Sequence, residues 1–120
     1  MPTPERGDIW QVNLDPISGK ASGKVSGKAQ SGTRPVLVVT RVALNASGLT
    51  VICPISQGAL QSRFAGYAAS LMGTGTVTQG VVMCNQPRTV DLVARRARKV
   101  ETVPQHVIDG VLARMVMLID

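Results

Sequence analysis

The sequence predicts a mainly β domain: a small curled, barrel-like sheet of short strands capped by one C-terminal helix. Three observations predict it. Short β-branched or alternating apolar runs recur along the chain, separated by turns of Gly, Pro and Asn. One stretch alone, after Pro104, carries apolar residues at three- and four-residue steps. The length of 120 residues with 44% hydrophobic content suits a single core, so residues 1–120 are read as one domain with no room for a separate cofactor domain.

The first strand spans Asp8 to Leu14, with Trp10, Val12 and Leu14 on one face and Ile9, Gln11 and Asn13 on the other. Asp15 and Pro16 end it. From Ile17 to Gly32 the units Ser18-Gly19-Lys20, Ser22-Gly23-Lys24 and Ser26-Gly27-Lys28 repeat every four residues. Gly and Ser lose much entropy on ordering and bury little, which predicts a mobile loop over 17–32, either a solvated linker or an arm closing over phosphates.

Arg34 to Val42 contains the continuous β-branched run Pro35-Val36-Leu37-Val38-Val39-Thr40, the pattern of a strand buried on both faces. Leu49 to Ile55 repeats it, with Asn45 and Gly48 supplying turn chemistry between them. Phe64 to Leu71 and Thr76 to Cys84 predict two further strands around Gly73-Thr74-Gly75. Val93 to Val103 mixes Arg95, Arg96, Arg98 and Lys99 with Ala and Val, which predicts a strand with a basic exposed side.

Pro104 suits a first helical turn because its missing N–H would be unpaired there. Val107, Ile108, Val111, Leu112, Met115, Leu118 and Ile119 then form the apolar stripe of a helix over 104–119 that caps the sheet. Gly110 inside it costs about 1 kcal/mol relative to Ala, which predicts close packing against the sheet at that point. An exposed strip along Leu112, Met115 and Met117 is a candidate dimer contact.

Thirteen Lys and Arg against seven Asp and Glu give a net charge of +6, which points to a polyanionic partner. Cys53 and Cys84 lack the short spacing of zinc or redox pairs and are read as small buried hydrophobes in a reducing cytosol. Met1 to Gly7 carries charge rather than a signal-peptide core, and no run approaches the roughly 18 apolar residues of a membrane span, so a cytoplasmic protein without membrane contact is expected.

Counting excludes several chemistries. His106 is the only histidine, so a ribonuclease built on two imidazoles is ruled out; His106 is expected on the surface. The acids are scattered, which predicts no metal, and no cofactor is expected. Trp10, Phe64 and Tyr67 are too few for a base-stacking platform. What remains is an arginine-rich site at strand ends: Arg34 after Gly32-Thr33, Ser56 after Cys53-Pro54-Ile55, and Arg88 after Asn85-Gln86-Pro87. Guanidinium groups grip phosphate oxygens through paired hydrogen bonds and stay charged at any ordinary pH.

The segments Arg6-Gly7-Asp8-Ile9-Trp10, Leu14-Asp15-Pro16, Gly32-Thr33-Arg34-Pro35-Val36, Cys53-Pro54-Ile55-Ser56 and Gly80-Val81-Val82 resemble, in order, those of the MazF/PemK/Kid toxins. Gln86-Pro87-Arg88-Thr89-Val90-Asp91 looks most like the PemK/Kid branch. The resemblance implies an SH3-like barrel of the CcdB/PemK type with a C-terminal helix. It also implies a metal-independent, sequence-specific endoribonuclease that cuts single-stranded mRNA, acting as the toxin of a type II toxin–antitoxin pair. The implied partners are a cognate antitoxin, single-stranded RNA, a second copy in a homodimer, and operator DNA only through the antitoxin complex.

Carried over residue by residue, the resemblance makes Arg34 and Ser56 the catalytic candidates. Asp8 is added as a candidate base or orienting group for Arg34. Lys28, Arg63, Asn85, Gln86 and Arg88 are the candidate RNA-binding residues. The branch also uses a loop histidine, an arginine and an aspartate, where this chain has Lys28, Met83 and Asn85. Loss of the carboxylate removes a proton acceptor and loss of the arginine a fixed cation. Those departures define the alternative: a non-cleaving, CcdB-like or catalytically degenerate homologue that acts by protein binding. A basic β module with no toxin role is a third reading.

Overall fold

The computed structural model describes residues 2–15, 32–58 and 66–119. The expectations for most of the 17–32 loop, for Lys28 and for Arg63 lie outside the described residues. The elements are β1 (Asp8–Asn13), β2 (Thr33–Val38), the short helix α1 (Val42–Asn45), β3 (Thr50–Ser56), β4 (Ala68–Ser70), β5 (Val81–Met83), β6 (Arg88–Val90), β7 (Arg98–Thr102) and α2 (Gln105–Ile119). All strand pairs are antiparallel, in the order β4-β5-β3-β2-β1-β7, and β6 adds to β3.

Strand alternation sorts the apolar side chains into two cores. One face gathers Trp10, Val12, Val36, Val38, Ile52, Val90, Leu92 and Ala97, filling the curl formed by β7, β1, β2, β3 and β6. The opposite face presents Ile9, Leu37, Cys53, Ile55 and Val82 to Val107, Ile108 and Val111 of α2. Ridding water of both faces is the main driving force for this arrangement.

The sheet is curled, as expected, but β4 and β7 at its ends are not paired with each other, so it is an open sheet rather than a closed barrel. Side chains bridge the gaps. Glu101 of β7 accepts hydrogen bonds from the Val77 N–H (3.0 Å), the Thr78 N–H (2.8 Å) and the Thr78 hydroxyl (2.7 Å) in the β4–β5 connection. Across the other core, Arg88 of β6 donates through Nη2 to the Leu14 carbonyl just beyond β1 (3.1 Å).

Several boundaries differ from the sequence reading, each for a local reason. The expected 34–42 strand stops at Val38, and residues 42–45 turn helically because Asn45 is drawn inward, its Nδ2 donating to the carbonyls of Pro4 and Thr40, both 2.8 Å away. The expected 76–84 strand shrinks to Val81–Met83, since Thr76 and Thr78 are engaged in side-chain hydrogen bonds and Gly80 takes a φ of +123°. The expected 93–103 strand begins at Arg98, because the Asp91 carboxylate caps a turn by accepting from the Ala94 N–H (3.0 Å) and Arg96 adopts a φ of +55°. Strand β6 was not anticipated.

Helix α2 agrees closely with its stripe, and Val107 N–H donates to the Pro104 carbonyl at its start (3.0 Å). Leu112 and Met115 pack against the core rather than forming an exposed strip; the exposed large apolar positions are Val116, Met117, Leu118 and Ile119, so the last two residues of the expected stripe lie outside the core. Gly110 is not pressed on the sheet: a Cβ there would meet only Arg114 Nη1, at 3.2 Å. Among the described residues, no helix is long and apolar enough to cross a membrane.

Candidate active site

Arg34 and Ser56 lie at one end of neighbouring strands. The β2–β3 register pairs Val36 with Pro54, and two further steps set Arg34 opposite Ser56. Both share the alternation of Val36 and Ile52, hence the face of the β-curl core. Val39 N–H donates to the Val51 carbonyl (3.0 Å), so odd-numbered residues of β3 face β2 and the next rung needs the N–H that Pro35 lacks; on its other edge β3 passes from β6 to β5 at Ile55. The two strand ends therefore flank an opening instead of zipping shut. Arg34 is exposed and Ser56 half-buried.

On β1, Val12 is the register partner of Arg34 and Asn13 that of Thr33. The end of β1 is held in place by two more arginines. Arg88 bonds the Leu14 carbonyl, and Arg95 Nη1 donates to the carbonyls of Asn13 (2.9 Å) and Asp15 (2.8 Å). Arg95, read from sequence as part of an exposed basic strand, is thus a half-buried clamp on the segment beside Arg34. Gly32 completes the joint, since a Cβ at that position would collide with the Asp15 carboxylate and the Asn13 amide oxygen. Its place in Gly32-Thr33-Arg34-Pro35 follows from that close approach.

Residues 85–87 form the other wall. The β3–β5 register, extended by two residues, sets Cys84 opposite Cys53, whereas the β3–β6 register sets Arg88 opposite Ile52. One step on β3 thus matches four on its partner, and Asn85, Gln86 and Pro87 bulge from the ladder. Bulges of this kind re-aim side chains beside functional sites. Gln86 and Arg88 are exposed, whereas Asn85 is half-buried, and its Oδ1 is buried without a hydrogen-bond partner among the described residues. A buried acceptor of this kind is costly unless a donor fills it. Met83, where the resemblance places an arginine, is a buried apolar side chain.

Asp8 is elsewhere. It is 2% exposed at the opposite end of β1. Its carboxylate accepts from the Glu5 N–H (2.9 Å), Trp10 Nε1 (3.3 Å) and the Thr102 hydroxyl (3.1 Å), and pairs with Lys99 Nζ at 3.5 Å. The structure does not bring Asp8 to Arg34; it ties β1 to β7 and satisfies the buried indole. The signal that misled was composition, since a carboxylate near a motif arginine reads alike in either role.

The cysteines are buried hydrophobes. Burial, reinforced by the nearby Cys84, pushes the Cys53 thiol up to about 12, and burial also raises Cys84 despite the opposing charge of Arg114. Neither is a nucleophile at neutral pH. His106 is exposed on α2. The chemistry of the rim is therefore that of guanidinium, hydroxyl and amide groups.

A family described as PemK-like, MazF-like toxin of type II toxin-antitoxin system matches residues 5–119. The chain is 46% identical over 112 residues to Endoribonuclease PemK of Escherichia coli, a match covering 92% of this chain and 78% of that protein. It is 35% identical over 116 residues to Endoribonuclease toxin ChpB of Escherichia coli strain K12, covering 97% and 94%. Its fold is similar to that in the MazE-MazF (Form-III) structure from Deinococcus radiodurans, with a TM-score of 0.77, 26% identity, and coverage of 98% of this chain and 97% of that one.

Proposed function

Because the chain belongs to the PemK-like, MazF-like toxins of type II toxin–antitoxin systems, we propose that the rim between β2 and β3 is where it cuts RNA. The observation that carries this reading is the placement of Arg34 and Ser56 on one face at adjoining strand ends. The substrate is single-stranded mRNA and no metal takes part. The ribose 2′-hydroxyl attacks the adjacent phosphorus, leaving a cyclic 2′,3′-phosphate on one fragment and a free 5′-hydroxyl on the other. Arg34 neutralises charge accumulating on the phosphorane oxygens, where fixed donors contribute most, and Ser56 donates a hydrogen bond to one of them.

Arg88 and Gln86 hold the strand on the bulge side, and the Asn85 amide oxygen accepts from a ribose hydroxyl. Arg95 acts through the end of β1 rather than on the RNA. Lys28 and Arg63 add phosphate contacts in this reading. An amide cannot take the proton that a carboxylate would, so the chain works with less transition-state stabilisation than a relative carrying Asp at 85 and Arg at 83.

The protein is a cytoplasmic homodimer whose basic rim also receives an acidic segment of its cognate antitoxin, and operator DNA is reached only through that complex. An acidic tail and an RNA strand compete for the same arginines. Incubating the purified chain with a long mixed-sequence RNA in EDTA and mapping the new ends tests this. Cuts at a recurring sequence with 5′-hydroxyl ends are expected. Intact RNA that is nevertheless bound would favour the non-cleaving reading, which the buried Met83 and the amide at 85 motivate.

A further inference from the structure

Three sulfur atoms from three parts of the chain meet in the core between the sheet and α2. Cys53 lies on β3, Cys84 directly after β5 and Met115 on α2, and all three belong to one apolar cluster. The extended β3–β5 register sets the two cysteines opposite each other, and the backbone hydrogen bonds fix the kind of opposition. Odd-numbered residues of β3 turn their N–H and C=O groups to β2, while the Cys84 N–H donates away from β3, to the Tyr67 carbonyl just before β4 (2.9 Å). Neither cysteine spends a backbone group on the other. Cys53 and Cys84 are therefore a non-hydrogen-bonded pair, the kind whose Cα atoms approach to about 4.5 Å and whose side chains lie closest.

Met115 completes the group, with its Sδ 3.9 Å from Cys53 Sγ. Metal–sulfur bonds of about 2.3 Å in a trigonal plane set the sulfurs about 4 Å apart, so this spacing already suits a shared ion. Cys84 Sγ donates only weakly, to the Val82 carbonyl at 3.6 Å, a bond that a turn about χ1 gives up. The other side chains of the cluster are aliphatic. With no side-chain nitrogen or oxygen among its described residues, this core does not suit zinc or hard cations, whereas thiolate and thioether sulfur select copper in its monovalent state. Arg114, next to Met115, favours the charged form of Cys84. Two thiolates around one Cu(I) carry a single negative charge, which that guanidinium balances. Met115 is half-buried while both cysteines are fully buried, so the thioether marks the point of entry.

We propose that Cys53, Cys84 and Met115 form a three-coordinate site for monovalent copper. Both thiol protons pass to solvent as the metal enters, and the bound ion joins β3, β5 and α2. Without metal, the protonated thiols pack as the small hydrophobes described above. The site is separate from Arg34 and Ser56 and does not depend on the RNA-cleaving reading.

The test titrates the reduced full chain with Cu(I) under anaerobic conditions, against a chromophoric Cu(I) chelator. One copper per chain is expected, with the ultraviolet charge-transfer absorption of copper–thiolate bonds. The melting temperature should rise with free copper, as for any ligand that binds the native state alone. Cys53→Ala and Cys84→Ala each lose this binding. Met115→Leu keeps the core volume and melts close to the parent, yet its copper affinity falls by about tenfold or more, since a direct ligand counts for at least as much as an outer partner. Zn(II) at the same concentration leaves the melt unchanged. No copper held against the chelator, equal binding by the cysteine variants, unchanged affinity in Met115→Leu, or a melt raised equally by Zn(II) overturns the site.

Discussion

Arg95 bonds the Asn13 carbonyl at 2.9 Å, a link between residues 82 apart in sequence that fixes the end of β1 next to the strand carrying Arg34. The same guanidinium holds the Asp15 carbonyl, so one side chain closes two backbone acceptors that no strand pairing would satisfy.

Replacing that clamp is expected to act on the fold first. Arg95→Ala leaves both carbonyls without this donor and lowers stability by about 2 kcal/mol in urea unfolding. Arg88→Ala removes one bond from an exposed residue and costs less than about 1 kcal/mol. On RNA the order reverses: Arg88→Ala raises KM several-fold with kcat nearly kept. Cleavage kinetics on the two folded variants separate these effects.

In the RNA-cleaving reading, the amide at 85 and the thioether at 83 are expected to limit the rate. Asn85→Asp supplies a proton acceptor in a half-buried position beside the rim, and Met83→Arg supplies a cation. Asn85→Asp is expected to raise kcat by about tenfold or more, within the range of general-base contributions. It also adds a pH dependence, because the new carboxylate must be ionised to work. A rate unchanged by Asn85→Asp would remove residue 85 from the chemistry. The arginine needs a path to solvent past β4, so its effect is judged only in a variant that melts as the parent does.

Acid sensitivity is expected to centre on Glu101. Burial opposes its ionisation, but hydrogen bonds from the Thr78 hydroxyl and the Val77 and Thr78 amides outweigh that and hold its carboxyl below the ordinary range. A carboxyl lowered by folding stabilises the native state above its unfolded value, about 4.5, and this contribution is lost as pH falls through the lower native value. Glu101→Gln should therefore lose about 1–2 kcal/mol at neutral pH, from the weakened hydrogen bonds. Its stability should also decline less than the parent's as pH falls from 5 towards 3, a difference that thermal melts at stepped pH would show.

Much of this molecule is legible in its residues because alternation and helical spacing report burial directly. Trp10, Val12, Val36, Val38 and Ile52 share a face by period alone, and Val107, Ile108 and Val111 mark the buried stripe of α2. The gathering of Arg34 and Ser56 is legible as two strand-end motifs. Their relative position is not, because it depends on a register of pairing that sequence does not state. Strand β6 escaped because it is three residues long and follows Pro87, so no period can show in it. Arg95 and Asp8 misled for a shared reason: a charged side chain looks the same whether it faces water, a ligand or a buried backbone carbonyl. Only the partners distinguish them, and several of those, Thr102 and Lys99 for Asp8 and Asn13 for Arg95, come from other strands.

If guanidinium and hydroxyl groups at adjoining ends of β2 and β3 carry out metal-free RNA cleavage, single-turnover cleavage of a preferred RNA in EDTA depends on both of them. Arg34→Ala is expected to lower the rate by about a hundredfold or more, with parental melting and antitoxin binding retained, and Ser56→Ala by a smaller factor. An Arg34→Ala variant that folds and cuts as fast as the parent would remove the guanidinium at the end of β2 from the reaction.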